Sequence, residues 1–273
     1  MGALALGAVS MGCKKLGEVK TIDVAGDAQG DPSHPASVRI ELGAGDLHVT
    51  PGGAHVVGGS VRTNASDLEP KVDAAGDHVT VTQGAPGVVK DSKYGNELVA
   101  DWRLTLGPTP IALIVDTGAG SADLELGGLA LKALRVRSGA GAMKIGFNAP
   151  NPLAADSVDI ETGAGAITIS DLARFGASTV RVHSGVGAVT VGLGAAVDRD
   201  IVLDLEASAG SLTIKLPATI TARASLQSGV GKVTAEGWAK EGNDFVLGAP
   251  GATPRVTVKA RTGVGGITLV TGG

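Results

Sequence analysis

The chain has little of what most globular cores and most active sites are made from. Its single cysteine, Cys13, excludes an intrachain disulfide. Aromatic residues make up only 2%, so the core must be filled by Val, Ile, Leu and Ala, and a row of exposed rings for stacking sugars has little to draw on. No basic footprint exists either. The net charge is −4, and Lys and Arg are scattered singly, which excludes the electrostatic signature of a nucleic-acid binder. No stretch keeps a helical period, so helix should be scarce. After the first fifteen residues no apolar run approaches the ~20 residues that a membrane-spanning helix requires. The five histidines, His34, His48, His55, His78 and His183, do not pair with one another or with Cys13 at ligand spacing. They read as surface residues, with no metal and no cofactor expected. At 43% hydrophobic and 18% charged residues the chain is not a disordered tail, and its length suits one large all-β domain.

What the chain has in excess is glycine, 43 of 273 residues, against an average near 7%. Much of it falls in one phrase: "RVRSGAGAMKIG" from Arg135, "DIETGAGAITIS" from Asp159 and "RVHSGVGAVTVG" from Arg181. The first glycines are Gly118, Gly139, Gly163, Gly185, Gly229 and Gly263, with Ser208 in the equivalent place. Their spacings are 21, 24, 22, 23, 21 and 34 residues, the last stretched by an insertion over Glu236–Pro254. The second glycines are Gly120, Gly141, Gly165, Gly187, Gly210, Gly231 and Gly265, and an earlier copy sits at Gly43 and Gly45. A period in the low twenties is the signature of a solenoid, whose coils bury their apolar faces only against their neighbours.

Within a coil, alternation of period two runs on both sides of the glycines. Val158 and Ile160 oppose Asp159 and Glu161, and Ile167 and Ile169 oppose Thr168. Strand, tight bend, strand is the economical reading. The glycines suit a bend that needs φ > 0 or close backbone approach, and the Ala or Val between them is expected to face the core. The predicted fold is all-β: a single-chain parallel β-solenoid of about 22-residue coils with an irregular N-terminal β cap. Residues 1–20 are read as a signal and lipid-attachment segment, 21–107 as the cap region and 108–273 as the repeats, continuous with the cap.

Residues predicted to face outward favour a parallel, in-register stack. Four positions before the first glycine, successive coils read Arg135, Asp159, Arg181, Asp204, Ser225 and Lys259. Two positions before it they read Asp116, Arg137, Glu161, His183, Glu206, Gln227 and Arg261. Alternating sign along a row is what strands about 4.8 Å apart would favour. Beyond the bend the outward position reads Lys144, Thr168, Thr190, Thr213, Thr234 and Thr268, a threonine ladder suited to an exposed β face. The coil that comes last in the chain, around Gly263, is expected to be the open edge. It is covered by the Glu236–Pro254 insertion or offered to a partner, with an edge-mediated oligomer as one outcome.

Sharper motifs fail in detail. "QSGVGKVTA" lacks the upstream glycine and the Ser or Thr after Lys232 that a phosphate loop needs. After Gly139 and Gly141 a dinucleotide fingerprint would need glycine at Lys144. Calcium β-rolls require a nine-residue period that is absent, and ice binding calls for a doubled threonine row. Trp102 reads as core, whereas Trp238, in the insertion, reads as a possible contact residue. No catalytic residue is assigned.

At the N-terminus, "MGALALGAVSMGCKK" runs small and apolar before turning basic, with Cys13 at the end of the run. It is similar to a bacterial lipoprotein signal, in which the cysteine is acylated. Two stretches, "VRIELGAGDLHV" (Val38 to Val49) and "DWRLTLGPTPIALIVDTGAGSADLELGGLALKALRVRSGAGAMKIGF" (Asp101 to Phe147), resemble the bacterial toast-rack domain. That domain is found in lipoproteins and in LiaF-type regulators of the antibiotic response, with adhesin-type relatives. The resemblance implies a solenoid-like all-β fold, a place in the bacterial cell envelope and a non-enzymatic sensing, scaffolding or adhesion role. It supplies no catalytic residues and no cofactor. The expected protein is therefore an envelope lipoprotein, held to the membrane by Cys13, that binds an envelope protein or a wall polymer and no nucleic acid. The alternative is a carbohydrate-active enzyme on a β-solenoid, which would need carboxylates converging in a groove.

Overall fold

A computed structural model describes residues 16–84, 98–194, 197–249 and 255–272. Cys13 lies outside the described residues. The predicted coils are present. Each is a long strand, a glycine corner and a short strand, and successive coils stack so that long strands form one sheet and short strands another.

In the long-strand sheet, β2 (Ala36–Ala44), β8 (Ile111–Ala119), β10 (Leu131–Ala140), β12 (Ala155–Ala164), β14 (Ala177–Val186) and β16 (Ile201–Ala209) lie side by side, parallel and in register. Their short partners are β3 (Asp46–Pro51), β9 (Ala122–Glu125), β11 (Met143–Gly146), β13 (Ile167–Ser170), β15 (Val189–Gly192) and β17 (Leu212–Leu216). These stack in the same order. Inward aliphatic residues of the two sheets, such as Val158, Ile160, Ile167 and Ile169, are buried and form one continuous core along the stack. Each buried aliphatic side chain contributes roughly 1.5–3 kcal/mol. Helix is confined, among the described residues, to short 3-10 turns at Ser66–Leu68 and Leu172–Phe175.

The stack departs from chain order at its far end. The coil latest in the chain, β22 (Val256–Val264) with β23 (Ile267–Thr271), is not an edge. It lies between the coil of β16 and β17 and the coil of β18 (Ala222–Val230) and β19 (Val233–Ala235). The expected open edge is therefore corrected. The outermost coil is the one before the insertion, and the insertion itself forms a hairpin, β20 (Ala239–Glu241) and β21 (Asp244–Leu247). That hairpin adds antiparallel to β18. Arg223 clamps it, reaching Asp244 at 3.1 Å and Glu241 at 3.0 Å, and these two acceptors hold its guanidinium pKa above the ordinary value. Inward positions of the outer long strands are small (Ala260, Ala222 and Ala224), and the half-buried Trp238, Phe245 and Leu247 pack against the core there.

Why the chain doubles back is legible in the charges. In spatial order the outward row reads Arg135, Asp159, Arg181, Asp204, Lys259, Ser225, so the intercalated coil places a cation beside Asp204. The second row likewise sets Arg261 beside Glu206. In chain order each acid would instead face an uncharged Ser225 or Gln227.

The cap region contains one regular coil, β2 with β3, stacked on β8 and β9 across 75 residues of sequence. The remaining strands close the near end. β6 (His78–Gln83) runs parallel to β2 and is finished by antiparallel β5 (Pro70–Ala75). β7 (Ala100–Leu106) runs parallel to β3 and is finished by antiparallel β4 (Val57–Thr63) and β1 (Lys20–Gly26). Antiparallel closure blunts an edge that would otherwise template further stacking. Trp102, on β7, is fully buried, as its sequence context indicates.

Candidate interaction surface

The corners are structural. From Gly45 onward the second glycine of each phrase has a positive φ, 128° at Gly45, 137° at Gly165 and 155° at Gly231. Except at Gly231, on the outermost coil, its N–H donates to the corner carbonyl of the next coil in space, for example Gly165 N to Val186 O at 2.8 Å and Gly210 N to Val264 O at 2.8 Å. A Cβ at Gly120, Gly141, Gly165, Gly187, Gly210, Gly231 or Gly265 would overlap the carbonyl of the second glycine of a neighbouring coil. The first glycines, Gly118, Gly139, Gly163, Gly185, Gly229 and Gly263, also face a neighbouring carbonyl, but an added Cβ would overlap it less than at those second glycines, and they have no positive φ. Ser208 holds that place in one coil, so this row is the more tolerant. At the near end Gln83 closes the ladder with its side-chain amide. Its Oε1 accepts from Gly43 N and Ala44 N at 2.8 and 2.9 Å, and its Nε2 donates to Ala44 O at 2.7 Å. The amide stands in for the peptide of a coil that is not there.

The residue between the glycines does not face the core as predicted. Val186, Val230 and Val264 are 58, 68 and 57% exposed. The inward place under the corner is already taken by Ser138, Thr162, Ser184 and Thr262, all buried. The middle residue is thereby turned to the convex outside.

The two broad faces differ in what they present, charge on one and hydroxyls on the other; the charged face also carries grooves of about 410 Å³ beside Gln83 and about 530 Å³ beside Arg261. On the long-strand face the charges answer one another: Arg135 meets Asp159 at 3.3 Å, Arg137 meets Glu161 at 3.2 Å and Arg39 meets Asp116 at 3.0 Å. On the short-strand face Thr168, Thr190, Thr213, Thr268 and Thr234 stand on five adjacent strands. Next to that ladder lies a groove of about 410 Å³ lined by Thr168, Ser170, Asp171, Thr190, Gly192 and Lys215, among others. Sequence reasoning found the threonines but not the groove. Its signal is Gly192 two residues past Thr190, where the neighbouring coils carry Ser170 and Lys215.

Trp238 is half-buried and packs against the core, with its indole N–H buried and unpartnered. Among the described residues no aromatic side chain is exposed. No group of three or more His, Cys, Asp or Glu is placed to hold a metal ion there, and no described helix is long and apolar enough to cross a membrane. The shifted carboxyls lie in loops. Asp27 is held below its ordinary pKa, first by the hydrogen bond from His55 and then by Val56 N–H, and Asp198 is lowered mainly by Arg199.

Residues 15–170, more than half of the chain, match the family model described as the N-terminal domain of toast_rack, DUF2154. The chain belongs to the toast-rack family. Among solved structures, this toast-rack chain is similar to a putative cell adhesion protein from Clostridium sporogenes, at 15% identity and a TM-score of 0.52. That match covers 93% of this chain and 100% of the other. A putative adhesin from Bacteroides fragilis aligns at 12% identity and a TM-score of 0.47, covering 93% of this chain and 97% of its own. At such identity the first likeness establishes the shared toast-rack architecture and nothing finer. No curated protein matches the chain.

Proposed function

We propose that this toast-rack chain is a non-enzymatic protein of the bacterial cell envelope, anchored by a lipid on Cys13, that binds an envelope protein or wall polymer for adhesion, sensing or scaffolding. One observation carries the binding reading: near one end the charged face pairs with itself, through Arg39–Asp116, Arg135–Asp159 and Arg137–Glu161, whereas on the other face a ladder of five threonines borders an open groove. Salt-bridged rows along a stack hold their own neighbours and offer a ligand little uncompensated charge. Five stacked threonines offer hydroxyl donors and acceptors at strand spacing on a rigid sheet. An enzyme on the same frame needs acids that converge. Asp159 lies between Arg135 and Arg181, and Asp204 between Arg181 and Lys259, which is a stabilised surface and a poor general acid.

The anchor and the binding face are tested separately. Fractionation of a bacterium expressing the chain behind its full upstream start should place it with membranes, and Cys13→Ala should release it or leave it unprocessed. A soluble wild type with Met1 intact would remove both anchor and envelope from the reading. Co-sedimentation of the protein with envelope extract should fall when Thr190 and Thr213 are replaced together by Glu, and not when Arg135 and Asp159 are exchanged. Equal binding by both variants would move the site off the threonine face.

A further inference from the structure

The glycines of this chain have structural reasons at the corners, and Gly192 does not share them. It is the last residue of β15, its φ is not positive, and a Cβ added there would meet only Ile169 O at 3.5 Å, an ordinary contact. Glycine inside a strand weakens it, since it adds backbone freedom and packs nothing. What Gly192 does is remove a side chain from the outward row Ser170–Gly192–Lys215, whose members sit on three adjacent parallel strands. The result is a notch in the short-strand face. Ser170 and Lys215 flank it two strand spacings apart, about 9.6 Å, which fits one pyranose ring with a hydrogen bond on either side.

The notch carries both signs of charge in unpaired form. No ion pair joins Lys215 or Asp171 to any described residue, whereas Arg135–Asp159 and Arg137–Glu161 are paired on the opposite face. Asp171 is also the only non-glycine residue with positive φ among the described residues, at 53°. A left-handed aspartate is tolerable but strained, and such residues gather at ligand sites. The turn sets its carboxylate over Gly194, in the place a side chain there would fill. Thr168 and Thr190 complete the wall with hydroxyls.

We propose that the notch over Gly192 binds a carboxylate-bearing sugar residue, with Lys215 taking the carboxylate and Asp171, Ser170 and Thr190 taking ring hydroxyls. A carboxylate and a guanidinium or ammonium form charge-assisted hydrogen bonds, and an aspartate accepts two neighbouring hydroxyls. With no ring to stack on, selectivity rests on these polar contacts. The inference rests on the short-strand face being the binding face and adds to it the class of ligand.

The test is titration of the protein as it stands with glucuronate, glucose and acetate, followed by NMR shifts and calorimetry. Glucuronate is expected to bind at least ~10-fold more tightly than glucose or acetate, the worth of one good polar contact, with shifts centred on Thr168–Asp171 and Thr190–Lys215. Lys215→Ala should bring glucuronate down to the level of glucose. Gly192→Val should abolish binding while leaving the melting temperature unchanged or about 2 °C higher, because a β-branched residue suits an exposed strand. A folded Gly192→Val protein that binds as wild type does, or equal binding of all three probes, overturns the proposal. Binding of acetate equal to that of glucuronate means that Lys215 reads charge alone, which also overturns it. If envelope polymer is retained while glucuronate is ignored, the ligand class fails and the binding face stands. If both are lost, both fail.

Discussion

The coils from Ile111 to Leu216 and the two coils that follow are written in the same phrase but assembled by different rules. In the first group each coil lies against the one before it in the chain. In the second, the coil of Val256–Thr271 slips between Ile201–Leu216 and Ala222–Ala235. The difference teaches that a repeat specifies its contact geometry without specifying its neighbour. Every coil presents the same glycine corner and the same inward aliphatic pairs, so any two will stack. The choice between stacks is left to weaker features, the sign of the outward charges and the length of chain between coils. The 21-residue spacing from Ser208 to Gly229 already steps over one place in the stack, and the 34-residue spacing from Gly229 to Gly263 returns to fill it.

The sharpest break in that comparison is a charge in the intercalated coil. Val258 is fully buried between Leu203 and Ala224. Val258→Asp should cost about 4 kcal/mol or more, as an unpaired carboxylate in an apolar core. Hydrogen exchange should then speed up through Ala222–Val230 and Val256–Val264 together, while Leu131–Val186 stays slow. Protection persisting in Ala222–Val230 alone would contradict the order described.

Next in size is the corner. Gly165→Ala meets both a positive φ and the carbonyl of Gly141, and should lower stability by about 3 kcal/mol. Gly163→Ser, in the row where Ser208 already stands, should cost about 1 kcal/mol. Equal melting shifts for the two would mean that the rows are equivalent after all.

Smaller again is the charge row. Arg181→Glu places three acids side by side with Asp159 and Asp204 and should cost on the order of 1 kcal/mol. Lys259→Glu should cost less, because only Asp204 flanks it and Ser225 is neutral. Thermal melts at low and high salt separate the two, and a Lys259 variant worse than the Arg181 variant would undo the row argument.

The smallest effect lies outside the stack. Asp27 accepts from His55 at 2.7 Å and from Val56 N–H at 3.1 Å, tying the end of β1 to the start of β4. These contacts lower its pKa in the folded state. The stability it adds is therefore in place above the ordinary carboxylate pKa and is lost as pH falls through the lowered folded value. Asp27→Asn should flatten that part of the acid limb of a pH–melting profile and leave neutral pH little changed. An unaltered acid limb would show that the pair carries no linkage.

Most of the architecture was legible because alternation and period are properties of the chain itself. Val158, Ile160, Ile167 and Ile169 announce both strands and the core they share. Period two carried through the bend turns the corner residue inward, but the inward place under the corner is filled by Ser184 and the period breaks at Gly185. Val186 consequently points out where the pattern turns it in. The coil order was half legible, since Lys259 beside Asp204 repairs the alternation that Ser225 interrupts. Gln83 and the notch were not legible. Gln83 works only because of which corner it meets, and the notch is the lack of a side chain between two others.

The displaced coil also bears on how the molecule is made. Coils from Ile111 to Leu216 can dock in the order a ribosome delivers them, each on a finished neighbour. The coil of Ala222–Ala235 is delivered before the partner it needs, and must wait, hairpin included, until Val256–Thr271 has emerged. A chain interrupted in between would hold two raw strand edges, at Ile201–Ala209 and at Ala222–Val230, open to proteases and to other unfinished chains. Emergence of Val256–Thr271 and closure of this end of the stack are thus one event, with that coil as the wedge.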